Sequence, residues 1–250
     1  MSGQPVAVVT GASSGIGAAL AERLAKDGFR LAIGARRGDM LSQVAERLRA
    51  MGAEVLDLPL DVRDVRSVRD FVGAAEERFG RVDLLVANAG VGGGGHLAEL
   101  EDQEIAAMVE TNLLGVVRAA RAALPGMLAR GSGQIVVIAS VAGAIPLPGL
   151  ALYSATKSAL IALCEGLRRE VGHRGVAVSV VLPGFIATEM TKQQGISLRM
   201  PPPSIVANAV ARLWRTRRRL VVVPGFYRVL IALARAMPRA VDWVARRIDI

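Results

Sequence analysis

Tyr153 and Lys157 lie four residues apart in a segment whose apolar residues repeat with helical spacing, so both side chains share one helix face. A phenol, with a reference pKa of about 10, is a weak acid–base group at neutral pH. A neighbouring ammonium favours the phenolate, so we expect Lys157 to lower the pKa of Tyr153. Such a pair can protonate a carbonyl oxygen or deprotonate an alcohol. Ser140 follows the apolar run 135–139, and we expect its hydroxyl to bond the same substrate oxygen.

Residues 10–17, Thr-Gly-Ala-Ser-Ser-Gly-Ile-Gly, lie between an apolar run and a helical pattern, and we call them the glycine turn. The order of strand, glycine turn and helix is typical of a dinucleotide-binding unit. Gly11 permits a tight turn, Gly15 lets a pyrophosphate approach the backbone, and Gly17 allows the helix to pack closely on the strand. The first-turn amides of that helix then face the phosphates.

The chain alternates apolar runs with amphipathic helical patterns, which predicts a doubly wound α/β fold with a parallel, Rossmann-type sheet and helices on both faces. We predict seven strands, at 6–9, 31–35, 55–60, 82–87, 135–139, 176–182 and 220–223. The helices are predicted after the glycine turn and at 39–51, 64–79, 102–130, 153–172 and 204–215, with Asp39 as an N-cap and Pro125 ending or bending the longest. Residues 1–224 are predicted as one domain with a lid at about 190–203, and residues 225–250 as an amphipathic helical tail.

Ligands of such sheets bind outside the carboxyl ends of the strands, so the residues directly after each strand are candidates for binding. Arg36 and Arg37 follow the second strand, where an acid would accept hydrogen bonds from a ribose 2′-hydroxyl, and no acid appears before Asp39. A guanidinium matches the geometry of a 2′-phosphate, which favours NADP over NAD. The alternative is a solvated pair of surface arginines.

Five motifs in order resemble those of the short-chain dehydrogenase/reductase family, from about residue 5 to residue 190. The glycine turn is similar to the family's Thr-Gly-x-x-x-Gly-x-Gly, and residues 88–90 are similar to its structural Asn-Ala-Gly. Residues 153–157 fit Tyr-x-x-x-Lys, and Asn112 and Ser140 stand where the family has the rest of its catalytic tetrad. Pro183-Gly184, followed by Thr188, resembles the segment that meets the nicotinamide half of the cofactor.

The resemblance implies a role for each residue of this tetrad. Tyr153 would be the proton donor or acceptor, Lys157 would lower its pKa and hold the nicotinamide ribose, and Ser140 would orient the substrate carbonyl. Asn112 would position a water that continues a proton relay through Lys157, and Asp61-Val62 would flank the adenine. The implied cofactor-binding residues are Gly11, Ser13, Ser14, Gly15, Ile16, Gly17, Arg36, Arg37, Asp61, Val62, Asn88, Ala89, Gly90, Tyr153, Lys157, Pro183, Gly184, Ile186 and Thr188.

The composition narrows the class of protein. Of the 250 residues 52% are apolar and only 4% aromatic, so small aliphatic side chains must fill one large core. Cys164 is the single cysteine, which excludes an internal disulfide, and we expect it in the core. His96 and His173 have no ligand spacing, so we predict no metal site. We expect His96 to be a plain loop residue, with contact to the substrate as the alternative. The net charge is +9, but aromatic residues do not alternate with the basic residues, which argues against binding to nucleic acid.

Two segments lie outside the resemblance. The lid contains Ile196, Leu198 and Met200, and an apolar inner side predicts a nonpolar substrate, with an inert loop as the alternative. In the tail a stripe of Arg228, Arg235, Arg239, Asp242 and Arg246 lies opposite Leu230, Leu233, Met237, Val241, Val244 and Ile248, and Pro238 should divide it into two helices. Arginines interrupt the apolar run before it could span a bilayer, so the tail is predicted either to lie in a membrane interface or to pack on its own domain or a partner subunit.

Together these patterns predict an NADP(H)-dependent oxidoreductase that interconverts a carbonyl and a secondary alcohol on an apolar substrate, such as a lipid, an acyl chain or a steroid-like ketone. The resemblance implies a homodimer or homotetramer. The first strand begins too early to leave room for a signal peptide, so we expect a cytoplasmic protein, with peripheral contact to the inner face of a membrane through 225–250. The second hypothesis is a non-catalytic dinucleotide-binding scaffold or sensor associated with a membrane or partner, which would have no need of Ser140, Tyr153 and Lys157. A third, an isomerase or dehydratase, would usually want a different acid–base set.

Overall fold

A computed structural model describes residues 3–193 and 200–245. Its described part contains one parallel sheet of seven strands in the order β3-β2-β1-β4-β5-β6-β7. The strands are β1 (Val6–Thr10), β2 (Arg30–Ala35), β3 (Val55–Pro59), β4 (Leu84–Ala87), β5 (Gly133–Ile138), β6 (Val176–Pro183) and β7 (Leu220–Val223). The predicted fold class and all seven predicted strands are therefore confirmed.

Helices cover both faces of this sheet. They are α1 (Gly15–Lys26), α2 (Gly38–Ala50), α3 (Val65–Phe79), α4 (Asp102–Val109), α5 (Gly115–Arg130), α6 (Ala151–Val171), α7 (Glu189–Gln193), α8 (Ser204–Thr216), α9 (Tyr227–Ala236) and α10 (Pro238–Ala245). One core joins α3, α5 and α6 to the sheet, and a second core joins α1, α2 and α8 to its other face. Every strand between two covered faces must therefore be apolar along its whole length, which explains the continuous apolar runs of the sequence.

The first strand shows how the pleat divides these residues between the two cores. Val6 and Val8 belong to the core on the α3 side, whereas Ala7 and Val9 belong to the core on the α1 side. All four side chains are fully buried. Because successive side chains of a strand point to opposite faces, a shift of register by one residue would exchange the two sets, so the packing fixes where β1 ends and where the glycine turn begins.

The long helix predicted at 102–130 differs in two respects. A π-helical turn, Glu110–Leu114, separates α4 from α5. In addition, α5 continues through Pro125 to Arg130, so this proline does not end the helix, and a bend, the other predicted effect, stays a prediction. Pro125 lies on the exposed face of α5, where the backbone carbonyl that loses its partner can bond water.

The ends of two other predicted segments can be compared with the structure. The second helix begins at Gly38 with Arg37 in the N-cap position, so Asp39 lies in the first turn and was wrongly predicted as the cap. Its carboxylate there faces the positive end of the helix dipole. The tail divides as predicted, since α9 ends before Met237 and α10 begins at Pro238. In the described ranges no helix is long and apolar enough to cross a membrane.

Candidate active site

The topology places a crevice between β1 and β4. In the strand order these two strands are neighbours, with β2 and β3 on one side and β5 to β7 on the other, so the direction of the connections reverses between them. Ligands of open α/β sheets bind at this reversal, outside the carboxyl ends of the strands. The glycine turn follows β1, and residues 88–90 follow β4, so both predicted motifs lie at the crevice.

Asn88 and Ala89 hold the glycine turn in shape. The side-chain amide of Asn88 donates to the carbonyl oxygens of Thr10 and Gly11, at 3.0 and 3.1 Å. The backbone N–H groups of Asn88 and Ala89 both donate to the Thr10 hydroxyl, at 3.1 and 3.0 Å. Gly11 has a φ of 70°, and a Cβ there would lie 2.8 Å from the Ala89 Cα. The predicted structural role of this motif is therefore visible in its hydrogen bonds.

The other two glycines also fit the predicted arrangement. A Cβ on Gly17 would overlap the carbonyl oxygen of Gly11, so only glycine allows α1 to approach the turn this closely. Gly15 has a φ of 55°, and the nearest atoms to a Cβ there belong to Thr188, at 3.4 Å and beyond. Ser14 precedes α1 without a side-chain cap, which leaves first-turn N–H groups of the helix for an anion. The residues present therefore fit a dinucleotide pyrophosphate.

The two arginines after β2 have different surroundings. Arg37 donates to the Ser14 hydroxyl at 2.5 Å and to Glu189 of α7 at 2.8 Å. Arg36 is exposed and forms no ion pair with any residue that the structure describes. Asp61 accepts from Arg63 at 2.7 Å, which lowers the pKa of its carboxyl, and the charge of Arg36 lowers that pKa further. Arg36 therefore has the free guanidinium at the predicted position of a 2′-phosphate.

Val62, the second predicted adenine neighbour, is buried. It packs against Gly115 at the start of α5, where a Cβ would lie 2.7 Å from the Val62 Cγ2. Its carbonyl oxygen accepts from Arg118 at 3.4 Å. Ile186 is also buried, and Thr188 bonds Thr191 through its backbone N–H at 3.0 Å.

Asn112 and Lys157 meet beneath Gly90. A Cβ on Gly90 would lie 3.1 Å from the Asn112 Oδ1 and 3.5 Å from the Lys157 Nζ. The π-helical turn of residues 110–114 carries Asn112, and such turns occur often at functional sites. The Asn112 amide accepts from the backbone N–H of Val91 at 2.8 Å and donates to the Val91 carbonyl at 3.0 Å. Its contact with a water stays a prediction.

Tyr153 and Lys157 share one face of α6 as the sequence predicts. The Lys157 Nζ lies 5.6 Å from the centre of the Tyr153 ring, and it donates to the carbonyl oxygen of Ile138 at 3.3 Å. Ser140, after β5, bonds the Tyr153 side chain, and its hydroxyl also accepts from the N–H of Ala142 at 3.1 Å. The structure thus brings the three predicted groups to one place.

The predicted direction of one pKa shift is wrong for this structure. Burial raises the pKa of Tyr153, and the hydrogen bond from Ser140 only partly opposes this effect. Burial lowers the pKa of Lys157 to about 8. The physical reason is that both groups lose water, while the ammonium donates to Ile138 instead of the phenol oxygen.

An apolar cavity of about 260 Å³ opens beside the Tyr153 side chain. Ser140 and Tyr153 contribute to its lining on one side, and apolar side chains from four segments form the walls. These wall residues are Val141, Ala142, Ile145, Leu147, Leu150, Phe185, Met190 and Leu230. A cavity of this composition accepts an apolar molecule and leaves few polar groups to orient it.

Sequence reasoning missed the contribution of α9 to this cavity. Tyr227 and Leu230 line it, and the Tyr227 ring covers Gly184 so closely that a Cβ there would overlap it. Tyr227 and Ile231 pack against the core on the α3 side, so α9 lies on its own domain. The four-residue spacing of these two side chains is the signal that could have marked them as the inner face of α9.

The remaining predicted features have these outcomes. Met190 lines the cavity, whereas Met200 is half-buried and is not among the lining residues; Ile196 and Leu198 lie outside the described residues, so the apolar inner side of the lid stays a prediction. Cys164 is buried as predicted, and burial raises its thiol pKa to about 12. His96 is exposed in a loop. Within the described part of the chain, no group of three or more His, Cys, Asp or Glu side chains is placed to hold a metal ion.

The fold and the site together define a dinucleotide-binding oxidoreductase. Residues 5–197 match the protein family described as short chain dehydrogenase, and the chain belongs to this short-chain dehydrogenase/reductase family. It is an NAD(P)-dependent oxidoreductase that acts on carbonyl or alcohol groups.

Three relatives show the range of similar proteins. The chain is 44% identical to a putative ketoacyl reductase of Streptomyces coelicolor, over 74% of this chain and 72% of that protein. It is 33% identical to the ketoacyl reductase HetN of Nostoc, over 96% of this chain and 87% of that protein. It is 45% identical to the glycine betaine reductase ATRR of Emericella nidulans, over 74% of this chain but only 15% of that much longer protein.

Two solved structures resemble the whole fold. A short-chain dehydrogenase/reductase of Burkholderia phymatum in complex with NAD superposes with a TM-score of 0.88, at 29% identity, and the match covers 95% of each chain. An actinorhodin polyketide ketoreductase variant with NADPH superposes with a TM-score of 0.84, at 36% identity, over 89% of this chain and 96% of that one. Similar proteins therefore include one solved with NAD and one solved with NADPH.

Proposed function

We propose that this chain is an NADPH-dependent ketoreductase for apolar ketones, with an acyl or similar hydrocarbon group beside the carbonyl. The observation that carries the proposal is the apolar cavity with the Ser140 and Tyr153 side chains in its lining. A hydrocarbon group gains about 25 cal/mol per Å² by entering such a cavity, whereas a polar substrate would lose its hydration there without compensation. The similar ketoacyl reductases support a ketone as the reacting group.

The choice of NADPH rests on Arg36. It is the first residue after β2 and has no ion-pair partner within the described ranges, and no carboxylate stands in its place. A guanidinium that meets a 2′-phosphate forms charge-assisted hydrogen bonds. Arg37 lies on the rim of the glycine turn, where its bonds to Ser14 and Glu189 compete with a role in phosphate binding.

In the proposed reaction a bound nicotinamide would supply the hydride that reduces the carbonyl carbon. Tyr153 gives its hydroxyl proton to the carbonyl oxygen, and Ser140 donates a hydrogen bond to the same oxygen. Burial disfavours the charged state of Tyr153 and raises its pKa. The Lys157 ammonium opposes this effect, because its positive charge stabilises the tyrosinate that forms when the proton leaves. Asn112 is proposed to hold the water from which the proton is restored. In the direction of alcohol oxidation, Tyr153 takes the proton instead.

A panel of ketones and ketoacyl thioesters tests the reaction, with NADPH consumption followed by absorbance. Tyr153→Phe should lower kcat by about 100-fold to 10,000-fold, the range of general acid catalysis, while NADPH binding is retained. Ser154→Ala is the matched control, because it removes a neighbouring buried hydroxyl that has no hydrogen-bond partner among the residues the structure describes. Unchanged turnover in Tyr153→Phe would refute the mechanism.

The cofactor preference needs its own pair of variants. Arg36→Asp should weaken NADPH relative to NADH by about 30-fold or more, since it removes a charge-assisted bond worth about 2 kcal/mol and adds a repulsive charge. Arg169→Asp makes the same charge change and serves as the control. Arg169 lies in the last turn of α6, near the amino ends of the strands, whereas Arg36 lies at their carboxyl ends. An unaltered ratio of NADPH to NADH affinity in Arg36→Asp would exclude Arg36 as the phosphate contact.

A further inference from the structure

The outer face of α9 carries large apolar side chains that the domain leaves exposed. Phe226, Val229, Leu230, Leu233 and Met237 are between 44% and 62% exposed, and we call them the apolar ridge. At 100° per residue they fall within an arc of roughly 100°, which makes them one continuous surface along the helix. Trp243 of α10 is 60% exposed as well. A surface of this kind on a protein marks a contact with an apolar partner.

The charges around the ridge indicate the sign of that partner. Residues 200–245 contain eight arginines and a single acid, Asp242. None of the eight forms an ion pair with another described residue. Arg218, Arg219 and Arg228 line one cavity of about 400 Å³ at the junction of β7 and α9. An apolar surface beside unpaired arginines is complementary to a surface that is both apolar and anionic.

A second copy of this chain is a poorer occupant. A two-fold interface brings the same patch of both subunits together, so the arginines of one copy would face the arginines of the other. The repulsion between them would oppose the apolar contact. A bilayer that contains anionic lipids offers acyl chains to the ridge and phosphate groups to the arginines, and aromatic side chains such as Trp243 favour the boundary between them.

We propose that α9 and α10 seat this protein on the surface of an anionic bilayer, with the apolar ridge in the acyl region and the arginines at the headgroups. Leu230 belongs both to the ridge and to the wall of the substrate cavity, so the bound bilayer would adjoin the cavity. Apolar ketones dissolved in the bilayer would then reach Tyr153 without crossing water. This last step rests on the proposed function, whereas the seating itself does not.

Vesicle flotation of the full chain, without substrate or cofactor, tests the seating. We expect binding to vesicles of phosphatidylcholine with phosphatidylglycerol, weaker binding to phosphatidylcholine alone, and loss of binding as the salt concentration rises. Leu233→Asp should lower the affinity by about 30-fold or more, because it removes an inserted side chain and adds a repelled charge. Val65→Asp is the matched control, since Val65 is 56% exposed on α3, outside the ridge. Arg218→Gln with Arg219→Gln should lower the affinity for the anionic vesicles by about 30-fold.

Two results would overturn the proposal. The first is that wild type and Leu233→Asp float equally well. The second is that wild type does not float but forms an oligomer that Leu233→Asp dissociates, because the ridge would then bind a second copy of the chain.

Delivery of substrate is measured separately with a long-chain ketone in vesicles and a short soluble ketone. Leu233→Asp should raise the KM for the first and leave kinetics with the second unchanged. If wild-type protein floats with the vesicles but reduces neither ketone, the proposed function is contradicted and the proposed membrane contact is not.

Discussion

Replacement of Lys157 by methionine should make the protein more stable while it removes activity. The Lys157 side chain is 5% exposed, and burial lowers its pKa from the ordinary 10.5 to about 8. At neutral pH the folded protein therefore holds an ammonium that would prefer to be in water. The difference between these pKa values corresponds to about 3 kcal/mol of lost stability.

Methionine has a similar length and no charge, so it relieves this cost. It also leaves the Ile138 carbonyl without the hydrogen bond from Lys157, which costs about 1 kcal/mol. We therefore expect Lys157→Met to raise the free energy of unfolding at pH 7 by about 2 kcal/mol. The gain should be measured by urea unfolding of the cofactor-free protein.

The pH dependence provides the sharper readout. The pKa of Lys157 is lower in the folded state, so its destabilising effect is fully present below about pH 8 and disappears as the pH rises toward 10.5. The advantage of Lys157→Met should therefore shrink by about 2 kcal/mol between pH 7 and pH 10. Lys26→Met, at an exposed position on α1, should show no such change. A stability difference that is equal at both pH values, or a variant less stable than wild type at pH 7, would refute the reasoning.

Other substitutions test the packing around the site. Gly17→Ala should lower the free energy of unfolding by about 3 kcal/mol, because its Cβ would overlap the Gly11 carbonyl. Gly73→Ala, in an open and exposed position of α3, should raise the free energy of unfolding by about 1 kcal/mol, because alanine favours the helix more than glycine does. Equal effects of the two in urea unfolding would contradict this. Gly184→Ala should raise the KM for an apolar ketone because Tyr227 must move, and a double-mutant cycle with Tyr227→Ala should show a coupling of about 1 kcal/mol or more. Strict additivity of the two changes would show that the ring does not rest on Gly184.

The main features of the fold could be predicted from the sequence because they depend on local patterns. A buried parallel strand needs a continuous apolar run, and a helix that covers it needs apolar residues at helical spacing, so the order of elements can be predicted without any knowledge of contacts. The glycine turn belongs to the same class, since Gly11 and Gly15 adopt backbone conformations that other residues rarely reach. Pro125 shows the limit, because its effect depends on which face of α5 is exposed.

The site was predictable only in part. Tyr153 and Lys157 share a helix face because of their spacing, and Ser140 and the residues after β4 lie at the same edge of the sheet because parallel strands end together. The partners of Arg37 were not predictable, since Glu189 is remote in sequence and reaches it only across the crevice. The same holds for Asn112, whose amide is engaged by Val91. NADPH preference and the oligomeric state stay predictions.

The sequence by itself determined the family, the seven strands of a doubly wound parallel sheet and the residues able to transfer a proton, because each depends on residue type and short spacing. Only the tertiary structure decided which residues surround them. It brought Tyr227 of α9 onto Gly184, left Arg36 without an ion pair to any residue that the structure describes, and buried Lys157 deeply enough to lower its pKa. These outcomes depend on which surfaces meet after the chain has folded, and the free energy of such contacts is distributed over residues far apart in the sequence.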